Sequence, residues 1–172
     1  MLSFAALKKN LKQDTSNLKT IKVAVLADSA SQLYVQALKG YGVTERFNLE
    51  VFEADYDQID LQVFDQGSEL HSFKSEYVVV FQSVRKLYKK FCNCSPEQKA
   101  TFAENYLGYT KELIDSLGKS SSNIILFNLP DGDDGVFGNY SNKIVSSFVY
   151  QVRKINLELM HLAQQYKNLF IN

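Results

Sequence analysis

Lys22-Val23-Ala24-Val25-Leu26-Ala27-Asp28-Ser29-Ala30-Ser31-Gln32 is the stretch on which the fold turns. Ile21, Val23, Val25 and Leu26 form a β-branched, nearly continuous apolar run, the pattern of a strand covered on both faces, as in parallel sheets flanked by helices. Asp28, Ser29 and Ser31 are helix N-cap residues placed directly after it, and Leu33, Ala37 and Leu38 continue at helical spacing until Gly40 and Gly42, where the helix is expected to stop. A strand that turns at once into a helix is the opening of a βαβ unit.

The same alternation runs outward in both directions. Before it, Phe4, Leu7 and Leu11 predict a short amphipathic helix within Ser3 to Gln13, followed by a polar loop from Asp14 to Thr20. After it, strands are expected at Leu49 to Ala54, Tyr77 to Phe81, Asn123 to Leu129 and Leu169 to Ile171. Between them, Gln58 to Phe64 reads as a short helix, and Ser95-Pro96 as the N-cap and first residue of a helix that carries Phe102, Tyr106, Tyr109 or Leu113, and Leu117 to a stop at Gly118. Ile144, Phe148, Val152, Ile155, Leu159, Leu162 and Tyr166 give the last helix its apolar stripe. Right-handed crossovers then imply an α/β fold, a three-layer α/β/α sandwich with a five-stranded parallel sheet; the flavodoxin-like order 2-1-3-4-5 is the expected one, though the crossovers alone do not fix it.

Composition sets the outer bounds. The 172 residues, 45% hydrophobic and 13% aromatic, suffice for one sizeable core. Residues 1–20 are expected as a helix and loop packing on a single domain of residues 21–172. Nineteen basic and nineteen acidic side chains give a formal net charge of +0, which removes the electrostatic case for a nucleic-acid partner. No run reaches the ~20 apolar residues of a membrane-spanning helix and no secretory signal opens the chain, so a cytoplasmic protein without a membrane partner is expected. Cys92 and Cys94 stand alone, far from His71 and His161, and read as two reduced thiols at a helix end; neither a metal nor another cofactor is expected.

In an open parallel sheet, ligands bind at the carboxyl ends of strands where the strand order reverses. That rule selects four loops: Ala27 to Ser31, Asp55 to Gln58, Gln82 to Arg85, and Asn128 to Asn142. Ser29 is the candidate nucleophile, because a hydroxyl at a strand-to-helix turn lies near free backbone N–H groups that can hold an oxyanion. Ser and Asp at such a turn are equally good helix caps, and spacing alone favours the cap.

Val25-Leu26-Ala27-Asp28-Ser29 resembles the Gly-Asp-Ser motif of SGNH hydrolases, with Ala27 in place of the Gly. That resemblance implies an α/β/α esterase fold with the nucleophilic Ser after the first strand. The chain departs from the pattern elsewhere. Asp55-Tyr56-Asp57 replaces the family's second Gly block, and Gln82-Ser83-Val84-Arg85 replaces its Gly-x-Asn-Asp, so the oxyanion-hole amide is missing at Val84, with Gln82 or Asn128 as the available substitutes. The family's late Asp-x-x-His is matched only by Glu158-Leu159-Met160-His161, whose spacing falls within the last helix rather than in a loop above Ser29; His71, before the third strand, would lie at the opposite edge of the sheet. Asp131-Gly132-Asp133-Asp134 invites comparison with the Asp-x-Asp loop of haloacid dehalogenase-type phosphatases, but Pro130, Gly135 and the short remaining chain argue for a turn, or for a weak divalent cation site.

Taken with Glu53-Ala54-Asp55-Tyr56-Asp57-Gln58-Ile59 and Phe137-Gly138-Asn139-Tyr140, the opening stretch resembles the N-terminal region of FkbH-like proteins. In that family an SGNH-like domain precedes a haloacid dehalogenase-type, phosphatase-like domain, and members act in polyketide and surface-polysaccharide pathways, some handling glyceryl units on carrier proteins. The resemblance implies a domain excised from a longer phosphatase-like or glyceryl-transfer enzyme, with the C-terminal domain of the same chain as one partner. The absence of a placed His and of the family's Asn points to a degenerate pocket, lined by Ser29, Asp28, Asp57, Gln82 and Asn128, for a small acyl or sugar-derived group, free or on a carrier protein, or for a partner domain. The alternative is a serine ester hydrolase or acyl transferase, with Ser29 as nucleophile, Asp57 or a distant His as base, and the N–H groups of Ser29 and Ala30 as oxyanion donors.

Overall fold

The computed structural model describes residues 2–119, 122–132 and 135–172. Its centre is a five-stranded sheet in the expected order β2-β1-β3-β4-β5, formed by β1 (Lys19–Ala27), β2 (Phe47–Glu53), β3 (Tyr77–Phe81), β4 (Asn123–Leu126) and β5 (Leu169–Ile171). Every neighbouring pair is parallel, with Val25 opposite Val79, Val79 opposite Ile125 and Ile125 opposite Phe170 along one row. The chain order reverses between β1 and β3, so the loops leaving these two strands part at their carboxyl ends and open a crevice.

Side chains alternate across each strand, and the two faces are dressed unequally. Ala24, Leu26, Val78, Val80, Ile124 and Leu169 join one large buried cluster with side chains of α3 (Ile59–Phe64), α4 (Glu69–Phe73), α5 (Val84–Cys92), α7 (Phe102–Gly118) and α8 (Phe148–Gln165). On the other face, Val23, Val25 and Val79 form a small cluster with Val35 of α2 (Gln32–Thr44), and α1 (Phe4–Asn10) packs on α2 from outside.

The structure corrects several expected elements. Gly40 and Gly42 do not stop α2, which runs on to Thr44. Both are buried; a Cβ on Gly40 would lie 2.5 Å from the Leu7 carbonyl oxygen, and one on Gly42 would lie 2.6 Å from Leu49 Cγ. These glycines let α1 and β2 approach the helix rather than end it. Leu33, expected on the inner stripe, is exposed, and Val35 takes the buried position.

The cap reading of the β1–α2 turn also changes. Ser31 occupies the N-cap position without a side-chain cap bond, because its hydroxyl donates to Glu53 Oε1 at 2.6 Å. Asp28 Oδ1 accepts the Ser83 backbone N–H at 2.8 Å, tying the β1 loop to the β3 loop instead of capping α2.

The single helix expected from Ser95 divides into α6 (Pro96–Ala100) and α7, with Thr101 between them at φ −112°. Ser95 does cap α6, in a capping box with Gln98. At the break, the fully buried Gln151 of α8 donates from Nε2 to Ala100 O and Val145 O and accepts the Ala103 N–H on Oε1. A side-chain amide thus supplies the partners that a continuous helix would have found in its own backbone. The helices α4 and α5 form where no helix was expected, and α5 starts within the Gln82 to Arg85 segment read as a loop.

Candidate functional site

The loop leaving β1 carries Asp28, the one leaving β3 carries Gln82 and Ser83, and the turn after β2 carries Asp57, in the left-handed region at φ 62°. These meet in a crevice of two adjoining lobes. The inner lobe, about 300 Å3, is lined by Asp28, Gln82 and Ser83 and by Leu87, Phe102, Asn105 and Tyr106 from the helices. The outer lobe, about 500 Å3, adds Asp57, Ile59, Lys89 and Asn93, while Asp60, Lys86, Lys90 and Tyr109 border both.

Hydrogen bonds fix the floor. Tyr106 OH donates to Gln82 Oε1 at 2.6 Å, and Tyr109 OH donates to Asp60 Oδ1 at 2.6 Å. Burial, with the negative charge of Asp28 nearby, pushes the Tyr106 phenol up to about 12. Burial, followed by the hydrogen bond to Asp60, raises that of Tyr109 as well. Both phenols are therefore neutral hydrogen-bonding groups at physiological pH, and neither is a ready proton acceptor.

At the rim, Lys86 lies 4.2 Å from the Tyr56 ring centre and pairs with Asp57 Oδ1 at 2.9 Å. The Tyr56 side chain first, and Asp57 after it, hold the Lys86 ammonium above its usual range. The crevice therefore mixes carboxylates, amides, phenols and ammonium groups against two apolar walls, Leu87 and Phe102.

The structure brings Asp28, Asp57 and Gln82 together and leaves Ser29 and Asn128 off the lining. Ser29 is half-buried at the turn, between Asp28 on the crevice side and Ala30, which lines an apolar hollow on the opposite face of the sheet. Asn128 is exposed, and its backbone N–H donates to Asn172 O at 2.8 Å beyond β4.

Neither histidine reaches Ser29. His161 is exposed on α8 with Nδ1 3.3 Å from Glu158 Oε2, and His71 Nε2 lies 3.1 Å from Val63 O in a hollow that it shares with Ser75 and Val78, at the amino end of β3. Cys92 and Cys94 are free thiols at the end of α5. Asp131 pairs with Arg153 at 2.8 Å; Asp133 and Asp134 lie outside the described residues. No cluster of potential metal ligands occurs among the described residues, and none of their helices is long and apolar enough to cross a membrane.

Tyr106, Tyr109, Asp60, Asn105 and Lys86 escaped the sequence reading because they come from helices rather than from strand-end loops. Tyr106 and Tyr109 were legible only as members of an apolar stripe. The available signal was their phenolic oxygen, which a buried tyrosine must pair.

Residues 22–172 match the family described as FkbH, N-terminal domain. The chain belongs to that family. The crystal structure of the N-terminal part of the protein BF1531 from Bacteroides fragilis, containing a phosphatase domain and complexed with Mg, is similar to this FkbH N-terminal domain at 36% identity and a TM-score of 0.93, covering 99% of this chain and 45% of that one. The present domain thus spans less than half the length of that relative. An acetyl xylan esterase, AlAXEase, shares the fold at 20% identity and a TM-score of 0.53, over 88% of this chain and 77% of the other. No curated protein matches the chain.

Proposed function

We propose that this FkbH N-terminal domain is an accessory binding domain of a longer protein with a C-terminal phosphatase-like domain, and that its switch-point crevice holds a small acyl or sugar-derived group, free or displayed on a carrier protein. The observation that carries this reading is the lining itself: Asp28, Gln82, Tyr106 and Asp60 offer fixed acceptors and donors beside Leu87 and Phe102. Alternating hydroxyls on a short carbon frame match such a surface, since each polar ligand atom finds a partner and the carbon frame covers the apolar walls. The placement of both histidines away from Ser29, and the pairing of Asp57 with Lys86 at 2.9 Å, support binding over ester hydrolysis, because a serine nucleophile needs a free base within hydrogen-bond reach. The relative's phosphatase domain supports the longer architecture. In such a protein this domain would present the group while the neighbouring domain performs the chemistry.

The test combines binding and turnover. Saturation-transfer NMR with glycerate and with an N-acetylated hexosamine is expected to show contact with at least one of them. Tyr106→Phe combined with Asp28→Asn is expected to weaken that binding about tenfold or more, the loss of one or two hydrogen bonds to a buried group. Short-chain aryl esters are expected to give no turnover above background. Hydrolysis that disappears in Ser29→Ala would instead make this a serine esterase.

A further inference from the structure

Burial along the sheet rows differs sharply between the faces. On the face covered by five helices, Ala24, Val78, Ile124 and Leu169 are 0%, 1%, 0% and 4% exposed, so cover extends to the β5 edge. On the other face, Val25 and Val79 are 1% and 2% exposed, Ile125 is half-buried, and Phe170 is 51% exposed. The next row repeats the trend, from Ala27 at 3% to Phe81 at 40%. Phe81 and Phe127 meet at 5.7 Å between ring centres, and Tyr34 of α2 closes the inner side of the patch on Phe127 at 6.2 Å.

Parallel sheets bury both faces, and a contiguous aromatic patch left bare on one marks a surface that another element covers. The dressing of the two faces restricts that element. The β1–α2–β2 crossover moves toward the β2 edge and puts its helix on this sparse face, while α8, which leads toward the β5 edge, lies on the other. β5 is an edge strand, so a following helix that packs on this sheet runs back toward β3, and the face with room for it is the sparse one, over Phe170, Ile125 and Phe81. The Bacteroides fragilis chain supplies material for it, since the present domain covers 45% of that chain's length and matches a family defined as N-terminal.

We propose that the face formed by Phe81, Ile125, Phe127 and Phe170 is the docking surface for a helix of the polypeptide that follows residue 172 in the longer protein. This rests on the longer architecture proposed above. The helix would lay an apolar stripe over the β3–β5 half of the sheet, beside α2, and join the two domains through a shared core.

The test uses the longer protein encoded by the gene and the 172-residue chain, each with Cys92→Ser and Cys94→Ser and with either Phe170→Cys or Phe81→Cys. Maleimide is expected to label both introduced thiols readily in the 172-residue chain and at least tenfold more slowly in the longer protein. Equal rates in the two overturn the docking while leaving the longer architecture intact. A coding sequence that ends at residue 172 overturns both. Protection that develops in the 172-residue chain as its concentration rises overturns the proposal too, and assigns the face to a second copy.

Discussion

Tyr106 shows how one side chain ties the crevice to stability. Its phenol, held near 12, sits above the usual value of 10, chiefly because burial disfavours the phenolate. The folded protein therefore keeps this proton at pH values where the unfolded chain releases it. Stability from this source is present in full below pH 10 and is lost as pH rises from 10 to about 12. A two-unit shift corresponds to roughly 2–3 kcal/mol across that window. Denaturant titrations at a series of alkaline pH values should show the wild type losing that much more stability than Tyr106→Phe; parallel curves would mean that the phenol is open to solvent. Asp28 acts through the same region, since its carboxylate both bonds the Ser83 N–H and discourages charge on Tyr106. The sequence marks Asp28 and Gln82 by their strand-end positions. Nothing in it announces that a tyrosine on the sixth helical segment's successor, α7, will donate to Gln82, because that pairing spans 24 positions and depends on how α7 sits against β3.

At the scale of elements, legibility follows the locality of the cause. Tyr77-Val78-Val79-Val80-Phe81 specifies β3 by its own composition, and the structure forms it with those bounds. The helix α5 carries Val84, Leu87, Tyr88 and Phe91 at steps of three and four among lysines, a helical spacing present in the sequence but masked by the assignment of Gln82 to Arg85 to a strand-end loop. The α6–α7 break is not local at all, since it is stabilised by Gln151 from another helix. In the sequence that residue is only a polar intrusion beside an apolar stripe. Gln151→Leu would keep the bulk but leave Ala103 N–H, Ala100 O and Val145 O without the amide that satisfies them. At roughly 1–3 kcal/mol per stranded buried group, with partial relaxation, the expected loss is about 3–5 kcal/mol. Urea unfolding should show a lower midpoint with an unchanged slope, and amide exchange should quicken around residues 100–103 before it quickens in the sheet. A variant as stable as the wild type would show that the break is imposed by packing alone.

For the molecule as a whole, the unequal dressing of the sheet separates what builds the crevice from what merely covers it. The crevice is assembled from β1, β2 and β3 loops and from helices on the thickly covered face. The first helix belongs to neither; α1 packs on the outside of α2, with Leu7 buried at the point where Gly40 has no Cβ, and the family match begins only at residue 22. Removing residues 2–11 would expose that contact without touching the sheet or the crevice. Loss of one buried leucine and its neighbours should cost about 2–3 kcal/mol, a fall in Tm of roughly 5–10 °C for a domain of this size. Because none of the crevice lining comes from α1, the truncated chain should bind the same small probe with the affinity of the full one. Calorimetry and NMR titration on the two chains separate the outcomes: a stable truncation would deny α1 any part in the fold, whereas lost binding would mean that the position of α2, and through it the β1 turn carrying Asp28, depends on the outer helix.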